Sequence, residues 1–167
     1  MSKSRFGLFV VLLICAACNS KSETVYVDVN LLYESFEYKK KLTSDYGAIK
    51  SARQRIVDSL EQELNMLYKT MSEGSQVERN NFEIKQQELL QLNKQYEEDN
   101  EALLLAYNEK VLKQLNAYIN DYGKAAGYQF ILGADNKGSL LYANKKSDIT
   151  EKLIEYVNQR YKGEKVK

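Results

Sequence analysis

Four carboxylates crowd one short stretch of the chain: Glu97, Glu98, Asp99 and Glu101. Clustered acids can hold a cation or share a proton for general acid–base work. Either chemistry needs a second component, and none is present. The chain has no histidine, and its two cysteines, Cys15 and Cys18, both lie near the N-terminus. Zinc sites and Ser-His-Asp or Cys-His catalysis are therefore excluded. Asp135-Asn136-Lys137-Gly138 is too short and too poor in oxygen ligands for an EF-hand loop, and reads as a turn. No glycine-rich phosphate loop exists. The four acids read as a solvated helix face. The sequence points to a protein that is not an enzyme, with no cofactor and no metal.

The remaining chemistry is at the N-terminus. Lys3 and Arg5 form a basic start, followed by an apolar run of 12 residues from Phe6 to Ala17. That run is a signal-peptide length and too short to span a bilayer as a helix. It ends at Ala16-Ala17-Cys18. Small residues before a cysteine suit a lipoprotein signal peptidase, so residues 1–17 read as a lipoprotein-type signal and Cys18 as the lipidation site. An ordinary secretory signal cut nearby is the other reading. Both send the chain out of the cytoplasm. Acylation of Cys18 would leave the mature body without a free thiol or a disulfide framework.

Without Lys3 and Arg5 the chain has 22 basic against 23 acidic residues. A charge near −1 shows no nucleic-acid footprint. Tyrosine is abundant (13) and tryptophan absent.

The acids sit in a long helical pattern. Residues 18–24 read as a tether. Val25–Val29 alternates as a short strand, and Asn30 is placed to cap a helix carrying Leu31, Leu32 and Phe36 inward. From Leu42 to Tyr122 apolar residues recur at helical spacing, broken near Gly74-Ser75. The first stripe is Leu42, Tyr46, Ile49, Ile56, Leu60, Leu64, Leu67 and Met71. The second is Phe82, Leu89, Leu92, Tyr96, Leu103, Tyr107, Leu115, Ile119 and Tyr122. The first approximates a heptad seam. Folding about Gly74-Ser75 sets residues opposite when their numbers sum to about 149. Leu67 then meets Phe82, Leu60 meets Leu89, Tyr46 meets Leu103 and Leu42 meets Tyr107. Lys50, Arg53 and Arg55 fall opposite Glu97, Glu98 and Asp99, a charged waist that fixes register and is able to bend. Gly127 is a candidate left-handed cap.

After the hairpin, Tyr128–Ala134 reads as a second strand. Asp135–Gly138 is the turn and Ser139–Ala143 a third strand. Ser147 or Asp148 caps a last helix with an inner face of Ile149, Leu153, Tyr156 and Val157. The fold class is α+β, mostly α. Residues 25–41 and 123–167 form a small body, and 42–122 an antiparallel coiled-coil hairpin with its tip near 74–75. So small a core needs neighbours, which predicts an obligate oligomer with strands of several chains joined.

This order of parts resembles the OmpH/Skp family of periplasmic chaperones over essentially the whole mature chain. The residues that carry the resemblance are Val25–Val29 with Asn30-Leu31-Leu32-Tyr33, then Gly127-Tyr128-Gln129-Phe130-Ile131-Leu132, Leu141-Tyr142 and Ser147-Asp148-Ile149-Thr150. The resemblance implies a jellyfish-like homotrimer. Its shared body would use Val25, Val27, Val29, Phe130, Ile131, Leu132, Leu140 and Leu141. Its hairpins would hang as arms around a cavity that holds unfolded outer-membrane proteins without ATP. Two departures stand out: a near-neutral mature chain where the family's arms are basic, and Cys18, which implies a membrane tether in the periplasm.

A holdase needs distributed weak contacts rather than a deep pocket. Met66, Tyr68, Met71, Tyr96 and Tyr118 are the candidate client contacts, set against plain helix packing for each. The competing class is a membrane-tethered structural or adaptor coiled coil of the envelope. Its arms would reach about 50–65 Å at about 1.5 Å per residue.

Overall fold

The structure, a computed structural model, describes residues 23–71, 75–135 and 137–163. The signal, Cys18, the tether up to Ser22 and Gly74 lie outside the described residues.

Two strands, β1 (Thr24–Asp28) and β2 (Phe130–Ala134), pair in parallel, from Thr24 opposite Phe130 to Asp28 opposite Ala134. Parallel neighbours need a crossover rather than a tight turn. Here the crossover is α1 (Val29–Ser35), α2 (Glu37–Thr70) and α3 (Gln76–Ala126). A 3₁₀ turn (Lys145–Ser147) and α4 (Thr150–Lys162) follow β2.

Alternation in β1 sends Val25 and Val27 into the core, each 2% exposed. Ile131, the registered partner of Val25, is half-buried and packs against that core. The core continues through Leu32, Phe36, Leu42, Val111, Leu115, Leu153 and Val157. Phe36 is fully buried. Its ring stands edge-on to Tyr38, Tyr118 and Tyr161, with centroids 6.0, 6.2 and 6.0 Å away. Leu153 and Val157, four apart on the inner face of α4, close the other side.

The start of the crossover corrects the sequence reading. The strand ends at Asp28, and Asp28 caps α1 in place of Asn30, its Oδ1 accepting from Leu31 N at 2.9 Å. Asp28 has the extended backbone of a cap, and its carboxylate meets an amide of the first turn that has no partner within the helix. Val29 therefore leaves the strand for the helix and is 36% exposed, and Leu31 points outward. Asn30 instead donates from Nδ2 to the carbonyl of Asp135 at 3.4 Å.

Between α1 and α2 the backbone is extended for one residue, Phe36. Asn158 of α4 spans the break. Its Nδ2 donates to Ser35 O at 3.1 Å and its Oδ1 accepts from Glu37 N at 2.9 Å. One amide thus satisfies the end of one helix and the start of the next.

The start of α4 is equally tied. Thr150, 4% exposed, accepts at Oγ1 from Asp28 N at 2.9 Å. The same hydroxyl donates to Asp148 Oδ1 at 2.5 Å, and Thr150 N donates to that oxygen at 2.9 Å. Lys145 Nζ reaches Asp148 Oδ2 at 2.7 Å. Burial pushes the Asp148 carboxyl up, but the bonds from Lys145 and Thr150 outweigh it and hold it at about 2. A depressed folded value gives stability that is complete above the ordinary carboxylate range and lost as pH falls through the folded value. The body should therefore weaken as pH drops from 3.8 toward about 2. The Asp148→Asn protein should lack that part of the loss, which denaturant midpoints across the window measure.

The third strand, Ser139–Ala143, does not form among the described residues; the sheet has two strands. Asp135 Oδ1 instead takes Lys137 N at 2.9 Å and Ser139 Oγ at 2.5 Å, and Gly138 has φ 101°. The chain swings away from β2, leaving Leu141 92% and Tyr142 84% exposed. Nothing in the single chain offers these side chains burial in exchange for order. The chain returns to the free side of β1, where Tyr26 bridges Asp148 and Ile149 N donates to Tyr26 O at 3.0 Å.

Candidate functional site

The hairpin is the feature that projects from this body. Ser75 caps α3, its Oγ accepting from Glu78 N at 3.4 Å. At the far end Gly127, with φ 72°, takes the left-handed cap position and its N–H returns to Gly123 and Lys124 carbonyls. A β-carbon could adopt that φ only with strain. Of 34 residues in α2 and 51 in α3, the surplus of α3 lies against the body. There Val111 and Leu115 join the core.

Along α2 the inward positions run Leu42, Tyr46, Ile49, Arg53, Val57, Leu60, Leu64 and Leu67, all buried or half-buried. These steps of three and four keep the seam continuous. Sequence reading passed from Ile49 to Ile56, but Ile56 is 47% exposed and Val57 only 4%. Stepping by four through Arg53 was the signal that would have found Val57. On α3, Phe82, Leu89, Leu92, Tyr96, Leu103 and Tyr107 are half-buried. Cross-helix pairs give the register: Tyr68 with Phe82 at 5.9 Å, Glu63 with Lys85 at 2.8 Å, and Arg53 with Tyr96 at 5.3 Å.

Arg53 organises the waist. Its guanidinium lies over the Tyr96 ring and donates to Asn100 Oδ1 at 2.5 Å and Asp99 Oδ2 at 3.5 Å. A groove of about 560 Å³ opens beside it, lined among others by Tyr46, Lys50, Glu97 and Glu101. Glu98 pairs within its own helix with Lys94 at 3.9 Å. Arg55 enters no ion pair across the hairpin among the described residues. Arg53→Leu removes one partner and leaves Asp99 and Asn100 without their donor, but Asp99 is 46% exposed and regains water, so the change should cost only up to about 1 kcal/mol. Amide exchange at the waist should quicken slightly; slower exchange there would mean that Arg53 does not stabilise the seam.

The candidate contact residues separate. Met66 and Tyr68 are 62% and 66% exposed near the tip. Met71 is half-buried. Tyr96 is occupied by Arg53. Tyr118 is a correction: it packs against Phe36 and under Arg160, 6.0 Å from the guanidinium carbon, as part of the body's core. Its distance from the tip put it at the root, where helix packing takes the ring. Further exposed apolar residues were missed: Val77, Ile84, Leu90, Leu104 and Leu105. The run Leu103-Leu104-Leu105 carried the signal, because a helix can bury only one of three consecutive residues in a seam.

Of the body residues singled out in the sequence, Val25 and Val27 are buried, and Ile131 and Leu140 half-buried. Phe130 and Leu132 lie on the other face of the sheet, 56% and 42% exposed, and Leu141 is almost fully exposed.

Among the described residues no group of His, Cys, Asp and Glu could hold a metal, and every buried side-chain polar atom has a partner. No helix among them is long and apolar enough to cross a membrane.

The fold is a long helical hairpin on a small parallel β-body, with large apolar residues exposed along its arms. The family model for outer membrane protein (OmpH-like) matches residues 23–157, and the chain belongs to that family. A solved crystal structure of a candidate outer membrane chaperone (OmpH-like) from Caulobacter crescentus CB15 has the same fold. Its TM-score is 0.56 at 13% identity, covering 84% of this chain and 86% of that one. No curated protein matches the chain. The OmpH-like family is one of chaperones, not of enzymes.

Proposed function

We propose that this protein is an ATP-independent holdase of the cell envelope that binds unfolded outer-membrane proteins and keeps them from aggregating. The observation that carries the reading is the apolar surface left open along the arms, at Ile56, Met66, Tyr68, Ile84, Leu90, Leu104 and Leu105. A folded protein has no internal use for so many exposed large side chains on two helices. An unfolded chain meets them with many weak contacts, and sequestering it slows aggregation by mass action. Membership in a chaperone family supports the same conclusion.

The working unit in this proposal is a jellyfish-like homotrimer with its arms around a shared cavity. Phe130 and Leu132 on β2, and Leu141 and Tyr142 beyond it, are all exposed. Neighbouring copies would cover them, with Ser139–Ala143 ordered by that contact. Cys18 would carry the lipid that holds the assembly to a periplasmic membrane surface, raising the local concentration of chaperone where clients emerge.

The test is an aggregation assay with an unfolded β-barrel client diluted from denaturant. Stoichiometric protein should suppress light scattering, with no effect of ATP. Unchanged aggregation would favour a tethered adaptor instead. Sizing with light scattering should give a trimer, and a monomer in dilute buffer would remove the shared body. Cys18→Ala should release the protein from membranes.

A further inference from the structure

Charge is distributed unevenly along the hairpin. From Ile56 to Asn93, the part of the hairpin beyond the waist whose ends face each other, the chain carries 7 Asp and Glu against 3 Lys and Arg, a net of −4. The whole chain is +1, so everything outside that stretch is net +5. One of the three cations is already engaged by an arm carboxylate: Lys85 with Glu63 at 2.8 Å. The outer half of the hairpin is therefore a net anionic surface.

Ile56, Met66, Tyr68, Val77, Ile84 and Leu90 stand exposed in the same stretch. Between the helices near the tip lies a groove of about 330 Å³. It is lined by Leu64, which is buried, by Phe82 and Leu89, which are half-buried, and by the exposed Tyr68, Leu90 and Glu61 among others. No lysine or arginine lines it. The volume suits one large aliphatic or aromatic side chain, and the carboxylate suits a cation beside it.

We propose that the distal hairpin selects unfolded segments in which apolar residues alternate with lysine and arginine, seating an apolar side chain in this groove with the neighbouring cation at Glu61. The inference rests on the holdase reading and adds the class of client. Complementary charge gathers such segments from solution, and exposed apolar surface retains them. An acidic unfolded chain meets repulsion along the whole outer arm.

The test uses two labelled disordered peptides of equal length and equal apolar content, one rich in lysine and one rich in glutamate. Their anisotropy is titrated with the purified protein. The lysine peptide should bind about ten-fold more tightly at low salt, and the difference should shrink as ionic strength approaches 0.3 M, where the screening length falls below about 6 Å. Glu61→Lys, an exposed change, should weaken the lysine peptide about three- to ten-fold while Leu90→Ser weakens both peptides. Glu151→Lys, on the body, should weaken neither. Equal, salt-independent binding of the two peptides, with client aggregation still suppressed, would overturn the charge selection and leave the holdase intact. Binding of neither peptide, with aggregation unsuppressed, would remove both.

Discussion

Replacing Phe36 by alanine should cost about 3–5 kcal/mol, the range for deleting a buried aromatic ring. That is a large part of the about 5–15 kcal/mol that holds an ordinary domain together. The ring is fully buried where α1, α2, α3 and α4 converge, with three tyrosines edge-on around it. Its removal leaves a cavity that these rings cannot fill, because Tyr118 and Tyr161 are held from separate helices. Denaturant unfolding followed by tyrosine circular dichroism should show the midpoint collapse. Phe36→Leu should recover roughly half of the loss, since most of the transfer free energy returns with the aliphatic group. A loss below about 1 kcal/mol in Phe36→Ala would mean that the body draws its stability from elsewhere.

The second large effect is expected at Thr150. Thr150→Val keeps the shape and removes the hydroxyl that joins β1 to α4. Asp28 N then loses its acceptor and Asp148 loses a donor, in a site where water has little access. Leaving a buried donor unpaired costs about 1–3 kcal/mol, and bonds to a charged group lie at the upper end. Thr150→Ser should retain most of the stability, since the hydroxyl is what counts. Amide exchange at Asp28 is the direct reading: fast in Thr150→Val, protected in Thr150→Ser.

Most of the architecture could be read from the chain because it rests on local rules. Alternation at Val25 and Val27, helical spacing beyond Leu42 and the left-handed glycine at Gly127 each act within a few residues. The waist was legible in part: Arg53 meets Asp99, while Glu98 pairs within its own helix and Arg55 enters no ion pair across the hairpin among the described residues. What could not be read depends on partners distant in sequence. Asn158 binds across a break more than a hundred residues earlier, and no local pattern marks it. The choice of Asp28 over Asn30 as cap turned on where the strand ends, which β2 decides. Ser139–Ala143 has a strand's composition, but a strand also needs a buried face, and in one copy of the chain Leu141 and Tyr142 stay exposed. The arms were legible as helices; which of their apolar residues stay outside followed only once Val57 and Leu103 had taken the seam.

The parallel pairing of β1 with β2 has a consequence for how such proteins can vary. The whole arm is inserted between two strands that lie side by side, so its root is closed whatever happens farther out. Removing one heptad from α2 and the facing heptad from α3 would shorten the reach by about 10 Å while leaving every seam position in phase. Arm length is thus an independent dial, adjustable without disturbing the base from which the arm grows.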